Sequence, residues 1–226
     1  MDAIGIVASA INSAAGGDVP VWLPDGASAV LDFKNGHYYA DGSEQVVTDL
    51  LYSDEEHYNA FSFENIVNGV GLKGDWSNSS NPIFKPVIAD GIIATGATIV
   101  LDFDLEDDAY IEVDLIDLPE FTNSEQIVFY SEEDQSYFRD AASAQTNLPD
   151  ISSGDHKAAY TITPTKMAVS VDGGTVVTAT PAMPSAAFTV VAVSMNINVD
   201  VLFSTLRSII IYPAKADGEL PALSSL

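Results

Sequence analysis

Short segments of alternating or β-branched residues, separated by glycine, proline, asparagine and aspartate, recur along most of the chain. The clearest segment is 98–105, where Leu101, Phe103 and Leu105 alternate with other residues and therefore share one face of a strand. Similar patterns predict further strands at 29–33, 37–40, 92–94, 110–116, 126–130, 157–163, 166–171, 175–180, 188–193 and 206–212. Many short strands joined by turns predict an all-β sandwich or jelly roll.

Two of these segments, 98–105 and 110–116, are predicted to pair as a hairpin across an acidic turn. With their apolar faces inward, four carboxylates would crowd one outer surface: Asp102, Asp104, Glu112 and Asp114. Like charges opposite each other destabilise a sheet, so salt, a neighbouring Lys or Arg, or a divalent cation should offset them. A Ca²⁺ or Mg²⁺ site here would use the aspartates of the first strand and the turn: Asp102, Asp104, Asp107 and Asp108. The alternatives are a solvated face or a docking surface for a basic partner.

The charge of the whole chain narrows the range of partners. Its 33 acidic side chains outnumber the 8 basic ones and give a net charge of −25. Such a surface repels phosphate backbones and anionic membranes, so no nucleic-acid or membrane partner is expected. The chain has no cysteine, which excludes a disulfide framework, a thiolate metal site and a cysteine nucleophile. With 47% hydrophobic residues, it is expected to fold rather than form an acidic disordered tail.

The N-terminus predicts a short helical arm. Ile4, Val7 and Ile11 form one apolar stripe after Asp2, an acidic residue where a secretory signal would be basic. The stripe packs either on its own domain or on a neighbouring subunit. Together with Trp22 in the extended, proline-bracketed segment that follows, it supplies the predicted docking residues.

The predicted organisation is a helical and extended arm over 1–25 and a β-sandwich over 26–226. Glycine, asparagine, serine and proline are concentrated in 67–90. That composition is typical of a long surface loop, or of an internal boundary.

Three segments resemble known families. Residues 166–177, with the Asp172-Gly173 turn, resemble a hairpin of concanavalin/laminin-G-like lectin domains. Residues 206–223 resemble the end of those domains, where a last strand closes on a tyrosine and a small helix follows. Residues 31–39 resemble the opening of tailed-phage structural proteins that carry such a sandwich.

The resemblance implies a concanavalin-like jelly roll in a non-enzymatic virion protein, as a capsid decoration or a tail or fibre component. The expected partners are other virion proteins of the capsid or tail, further copies of the chain and a host-surface glycan. The expected location is the virion.

The two tryptophans do not decide whether the chain binds glycans. The two tryptophans, Trp22 and Trp76, lie outside the segments that resemble the lectin domains at residues 166–177 and 206–223. They are predicted to be hydrophobic plugs beneath the long loop, or, for Trp76, a sugar-stacking platform beside Asp75, Asn78 and Asn81.

The enzymatic alternative is a laminarinase-like glycoside hydrolase. Glu112-Val113-Asp114-Leu115-Ile116-Asp117 resembles the Glu-x-Asp-x-x-Glu strand of that family. The resemblance implies Glu112 as nucleophile, Asp114 as its modulator and position 117 as acid/base. Asp117 is one methylene shorter than the family glutamate, which would misplace the acid/base group. The remaining candidates for chemistry, His37, His57 and His156, lack metal-ligand spacing and are expected at the surface or in turns.

Overall fold

The computed structural model describes residues 19–47, 66–73, 83–84, 96–106, 110–116, 127–132, 135–140, 142–180, 182, 190–194 and 204–226. The strands are β1 (Ala29–Asp32), β2 (His37–Ala40), β3 (Ser43–Glu44), β4 (Ile66–Val67), β5 (Gly71–Lys73), β6 (Ile83–Phe84), β7 (Ala97–Leu105), β8 (Tyr110–Ile116), β9 (Ile127–Glu132), β10 (Gln135–Arg139), β11 (Gln145–Asn147), β12 (Gly154–Thr163), β13 (Lys166–Val171), β14 (Val177–Ala179), β15 (Val190–Ser194) and β16 (Thr205–Pro213). A 3₁₀ turn at Asp217–Glu219 leads into helix α1 (Leu220–Leu223). Within these ranges, no helix has the length and apolar content needed to cross a membrane.

The strands form two antiparallel sheets. Sheet A follows the order β14-β13-β12-β7-β16-β1-β2-β3, with β5 also paired to β16 and β4 to β5. Sheet B follows the order β11-β10-β9-β8-β15-β6. The two sheets pack face to face as a sandwich, which confirms the predicted all-β sandwich.

Alternation along the strands builds the core between the sheets. On β7, Leu101, Phe103 and Leu105 are at most 1% exposed, whereas the residues between them, Asp102 and Asp104, are partly exposed. The inward Phe103 meets Phe129 of sheet B edge to face, with ring centroids 6.1 Å apart. The predicted inward face of this strand is confirmed.

The predicted acidic hairpin is wrong. β7 pairs with β12 and β16 in sheet A, whereas β8 pairs with β9 and β15 in sheet B. Phe103 of β7 and Ile111 of β8 are both 0% exposed and belong to the same core cluster, so the two strands contribute to the core from opposite sheets. The aspartates of β7 and the acidic positions of β8 therefore belong to different sheets.

The C-terminal segment covers part of the outer face of sheet A. Leu220 of α1 is fully buried in a second apolar cluster with Val100, Ala159, Ala168 and Tyr212, which all point away from the main core. The Ser224 hydroxyl donates to Ser170 Oγ at 3.0 Å and ties the chain end to β13. The closing strand and small helix expected from the resemblance are both present.

The structure bears on the N-terminal segment and the predicted loop only in part. The predicted helical arm and its stripe of Ile4, Val7 and Ile11 lie outside the described residues, so the division at residue 25 stays a prediction. The segment 19–26 is not extended, because two consecutive turns are closed by bonds from Leu23 N to Pro20 O and from Ala27 N to Pro24 O. Within the predicted loop 67–90, the described residues include β5 and β6.

Candidate functional site

A row of polar side chains crosses the outer face of sheet A. Backbone register aligns His37 of β2, Asp32 of β1, Ser208 of β16, Asp102 of β7 and Lys157 of β12. Each of these residues has at least one chain neighbour in the core cluster, so the row faces away from the core. The outer face of sheet A is therefore apolar where α1 covers it and polar along this row.

At the edge of this face, Trp22 is stacked on His37. The two ring centroids are 4.6 Å apart and the rings are inclined by 18°. The turns at Pro20 and Pro24 bring Trp22 back over β2. The indole Nε1 donates to Glu44 Oε1 of β3 at 3.0 Å, which fixes the orientation of the ring. A half-buried aromatic pair is therefore held on the sheet edge by a specific hydrogen bond.

Oxygen acceptors surround this aromatic pair. Asp32, the cross-strand partner of His37, accepts from Asn35 N at 2.9 Å and from Asn35 Nδ2 at 2.7 Å. A carboxylate has about four acceptor sites, so Asp32 retains capacity for further donors. Its charge also acts on Tyr38: burial first, and then Asp32, raise the pKa of the Tyr38 phenol to about 12. Aromatic faces beside carboxylate and amide groups suit a ligand that has apolar C–H faces and hydroxyl groups.

Arg207 neutralises the acidic half of the outer face. It lies at a β-bulge between Leu206 and Ser208, which turns its side chain towards β7 and β12. Its Nη1 contacts Asp102 at 3.2 Å, and its Nη2 contacts Asp104 at 3.8 Å and Asp155. The offset expected for the β7 aspartates is thus supplied by an arginine that is distant in sequence.

The guanidinium of Arg207 is partly buried, with 19% of its side chain exposed. Burial lowers its pKa, but the hydrogen bonds and charges of Asp155 and Asp102 outweigh that effect and leave the pKa raised. The group is therefore a permanent cation with its donors directed at carboxylates.

Replacing Arg207 with methionine is expected to destabilise the protein by about 1–3 kcal/mol, because three neighbouring carboxylates lose their counter-charge. The loss should shrink in high salt, which screens the repulsion between the partly exposed aspartates. Chemical denaturation at low and high NaCl measures both effects. Lys34→Met removes one charge from an exposed residue that has no ion pair with a described residue, and it serves as the matched control. An equal loss in both variants would contradict the assigned role of Arg207.

The predicted metal residues are only partly visible. Asp102 and Asp104 contact Arg207, and Asp107 and Asp108 lie outside the described residues. Among the residues that the structure describes, no group of three or more His, Asp or Glu side chains is placed to hold a metal ion. A Ca²⁺ or Mg²⁺ site at these four aspartates stays a prediction.

The expectation for His156 is wrong, because the residue is only 7% exposed. Its Nδ1 lies 2.7 Å from Asp172 Oδ2 and its Nε2 lies 2.6 Å from Ser152 O, while the ring packs against Phe103. The Asp172 carboxylate also accepts from Lys157 N at 2.9 Å. His156 therefore ties the turn of the β13–β14 segment to β12 inside the fold, a role that only tertiary contacts reveal.

The other predicted site residues fall partly outside the described residues. Trp76, Asp75 and Asn78 lie outside the described residues, as does Asp117. Glu112 and Asp114 are on β8, and their backbones pair with Tyr130 and Val128 of β9. Sequence reasoning missed His37 and Glu44 as contacts of Trp22, and Asp32 as the cross-strand partner of His37. The Asn35-Gly36 and Asp41-Gly42 turns are the signals that could have placed them on adjacent strands.

Comparison with known proteins shows the fold. No protein-family model matches the chain, and no curated protein matches it. The receptor-binding domain of botulinum neurotoxin type G is similar in structure, with a TM-score of 0.54, 10% identity, and coverage of 87% of this chain and 50% of that chain. An HCR/D mutant gives a TM-score of 0.56 at 9% identity, over 88% of this chain and 52% of that chain.

The chain therefore spans about half the length of these two structures. The CBM40 domain of a Ruminococcus gnavus sialidase, solved with α2,3-sialyllactose, has a TM-score of 0.43 at 11% identity, over 59% of this chain and 84% of that chain. The chain has the all-β sandwich fold that its strand pattern predicts.

Proposed function

We propose that the chain is a non-enzymatic, lectin-like structural protein of a tailed-phage virion, in the capsid decoration or the tail or fibre, and that it binds glycans. The observation that carries glycan binding is the Trp22–His37 stack, oriented by Glu44 and flanked by Asp32. The similarity in fold to a toxin receptor-binding domain supports a recognition role. The three segments that resemble phage and lectin-like proteins support the virion role.

The glycan proposal predicts saturable binding of the purified chain to at least one polysaccharide, without release of sugar fragments. A glycan array measures the binding, and a reducing-end assay on laminarin measures hydrolysis. Trp76→Ala tests the platform predicted from the sequence beside Asp75 and Asn78, independently of Trp22. An array with no bound sugar would refute glycan binding. Hydrolysis that Glu112→Gln abolishes would favour the laminarinase-like alternative with Glu112, Asp114 and Asp117.

The virion proposal assigns docking on capsid or tail proteins to the apolar stripe of Ile4, Val7 and Ile11. The sequence-based prediction also assigns Trp22 to docking. Its contacts with His37 and Glu44 hold it on the sandwich. Docking by the stripe and sugar binding by Trp22 can therefore be tested separately. The partners are other virion proteins and further copies of the chain.

Deletion of residues 1–17 is expected to leave a folded β-sandwich that no longer joins the particle, because both sheets and the core between them form from residues 29–213. Circular dichroism checks the fold, and immunoblotting of purified particles measures incorporation. The matched variant Ile4→Asp/Val7→Asp keeps the chain length and replaces two of the three stripe residues with charges. Normal incorporation of both variants would contradict docking through the arm.

A further inference from the structure

We propose that the face formed by Trp22, His37, Asp32 and Glu44 takes neutral sugars and excludes sialylated or sulfated ones. This inference rests on the proposed glycan binding and adds the chemical class of the sugar. It is argued from the rigidity of the aromatic pair, from the hydrogen-bonding groups beside it and from the charges around it.

The aromatic pair is organised before any ligand arrives. Trp22 is held from one side by the near-parallel ring of His37 and in its plane by the bond from Nε1 to Glu44 Oε1. Among the described residues, His37 supplies the one ring contact that Trp22 makes, and the indole is partly exposed. A ring fixed in this way loses little conformational freedom when the C–H face of a pyranose packs on it.

The polar groups beside the pair are mainly acceptors. Each carboxylate oxygen of Asp32 accepts one hydrogen bond from Asn35. Glu44 Oε1 accepts from Trp22 Nε1, and Glu44 Oε2 accepts no bond from a described residue. Sugar hydroxyls can donate to these free acceptor sites. A carboxylate or sulfate group brings only acceptors and cannot satisfy them.

The local charges point the same way. Residues 19–47 carry four acidic side chains, Asp25, Asp32, Asp41 and Glu44, against Lys34 as the one Lys or Arg. The nearest described arginine on this face, Arg207, directs its donors at Asp102, Asp104 and Asp155. An anionic sugar would therefore approach two carboxylates, with Lys34 as the one lysine or arginine of residues 19–47 to attract it, in a protein whose net charge is −25.

The experiment compares matched sugars on the intact chain: lactose and N-acetylglucosamine oligomers against sialyllactose and sulfated lactose, at low ionic strength. We expect the anionic sugars to bind about tenfold more weakly than their neutral partners, or weaker still. Glu44→Gln and Asp32→Asn should narrow that ratio, because each removes one charge at nearly constant shape. Trp22→Ala should weaken binding of the neutral sugar by about tenfold or more, whereas Val21→Ala, at a fully exposed neighbour, should not.

The outcomes separate this inference from the proposed function. If a neutral sugar binds and Trp22→Ala changes nothing, the site is wrong and glycan binding stands. If sialyllactose binds more tightly than lactose, the sugar class is wrong and glycan binding again stands. If no sugar binds, the proposed function fails and this inference fails with it. Thermal melting of each variant checks that it is folded. If Trp22→Ala does not fold, the ratio of neutral to anionic sugar affinity in Glu44→Gln still tests the inference.

Discussion

Replacing Phe129 with alanine is expected to lower the free energy of unfolding by about 3–5 kcal/mol, a large part of the stability of a domain of this size. The Phe129 ring is fully buried on β9 of sheet B. It meets Phe103 at 6.1 Å and Tyr160 at 5.8 Å between ring centroids, and both of these residues belong to sheet A. It also meets Phe138 of sheet B at 5.9 Å. Its removal would leave a cavity at the point where aromatic rings join the two sheets.

Urea denaturation of the Phe129→Ala variant measures this loss directly. Phe129→Leu keeps most of the volume of the side chain and should lose less than half as much stability, because its cavity is smaller. A loss below about 1 kcal/mol in the alanine variant would show that this cluster does not hold the sheets together. The outcome bears on function, since the face that carries Trp22 and His37 is one surface of the sandwich held in this way.

Local patterns predicted the strands better than their partners. Lys166–Val171 was bounded correctly because β-branched residues lie between clear turn signals. The pairing of β7 with β8 was wrong because alternation reports which face of a strand is buried and not which strand lies beside it. β10 and β11 were missed, since Gln135–Arg139 and Gln145–Asn147 are short and contain few β-branched residues.

The candidate site could be predicted only in its outline. The Asn35-Gly36 turn could have placed His37 opposite Asp32, and an offset of the β7 aspartates by salt, a neighbouring Lys or Arg, or a divalent cation was expected from charge repulsion. The identity of that cation was not predictable, because Arg207 lies more than 100 residues from Asp102 in the chain. The stacking of Trp22 on His37 depends on the two turns at Pro20 and Pro24. The sequence pattern predicted an extended segment there instead of turns. Long-range pairing and side-chain orientation are thus what the sequence pattern leaves open.

Replacing Gly96 with alanine is expected to cost about 2–5 kcal/mol, because the position combines an unfavourable backbone angle with a collision. Gly96 has a φ of +78°, and a Cβ there would lie 2.6 Å from Ile162 O. This contact is with backbone of β12, which pairs with β7 along its whole length, so neither atom can move without disturbing sheet A. Thr163 Cγ2 and Ala214 Cβ, at 3.1 and 3.2 Å, close the remaining space.

Gly36→Ala is the matched control for this effect. Gly36 has a similar φ of +73°, but a Cβ there would meet nothing within 4 Å. Its alanine variant should therefore lose only the conformational part, about 1 kcal/mol. The difference between the two variants in denaturation free energy isolates the collision at the start of β7, the strand between β12 and β16. If both variants lose the same stability, β7 can shift away from β12 at this point, and the register that aligns Asp102 with Lys157 and Ser208 is less rigid than the pairing of these strands indicates.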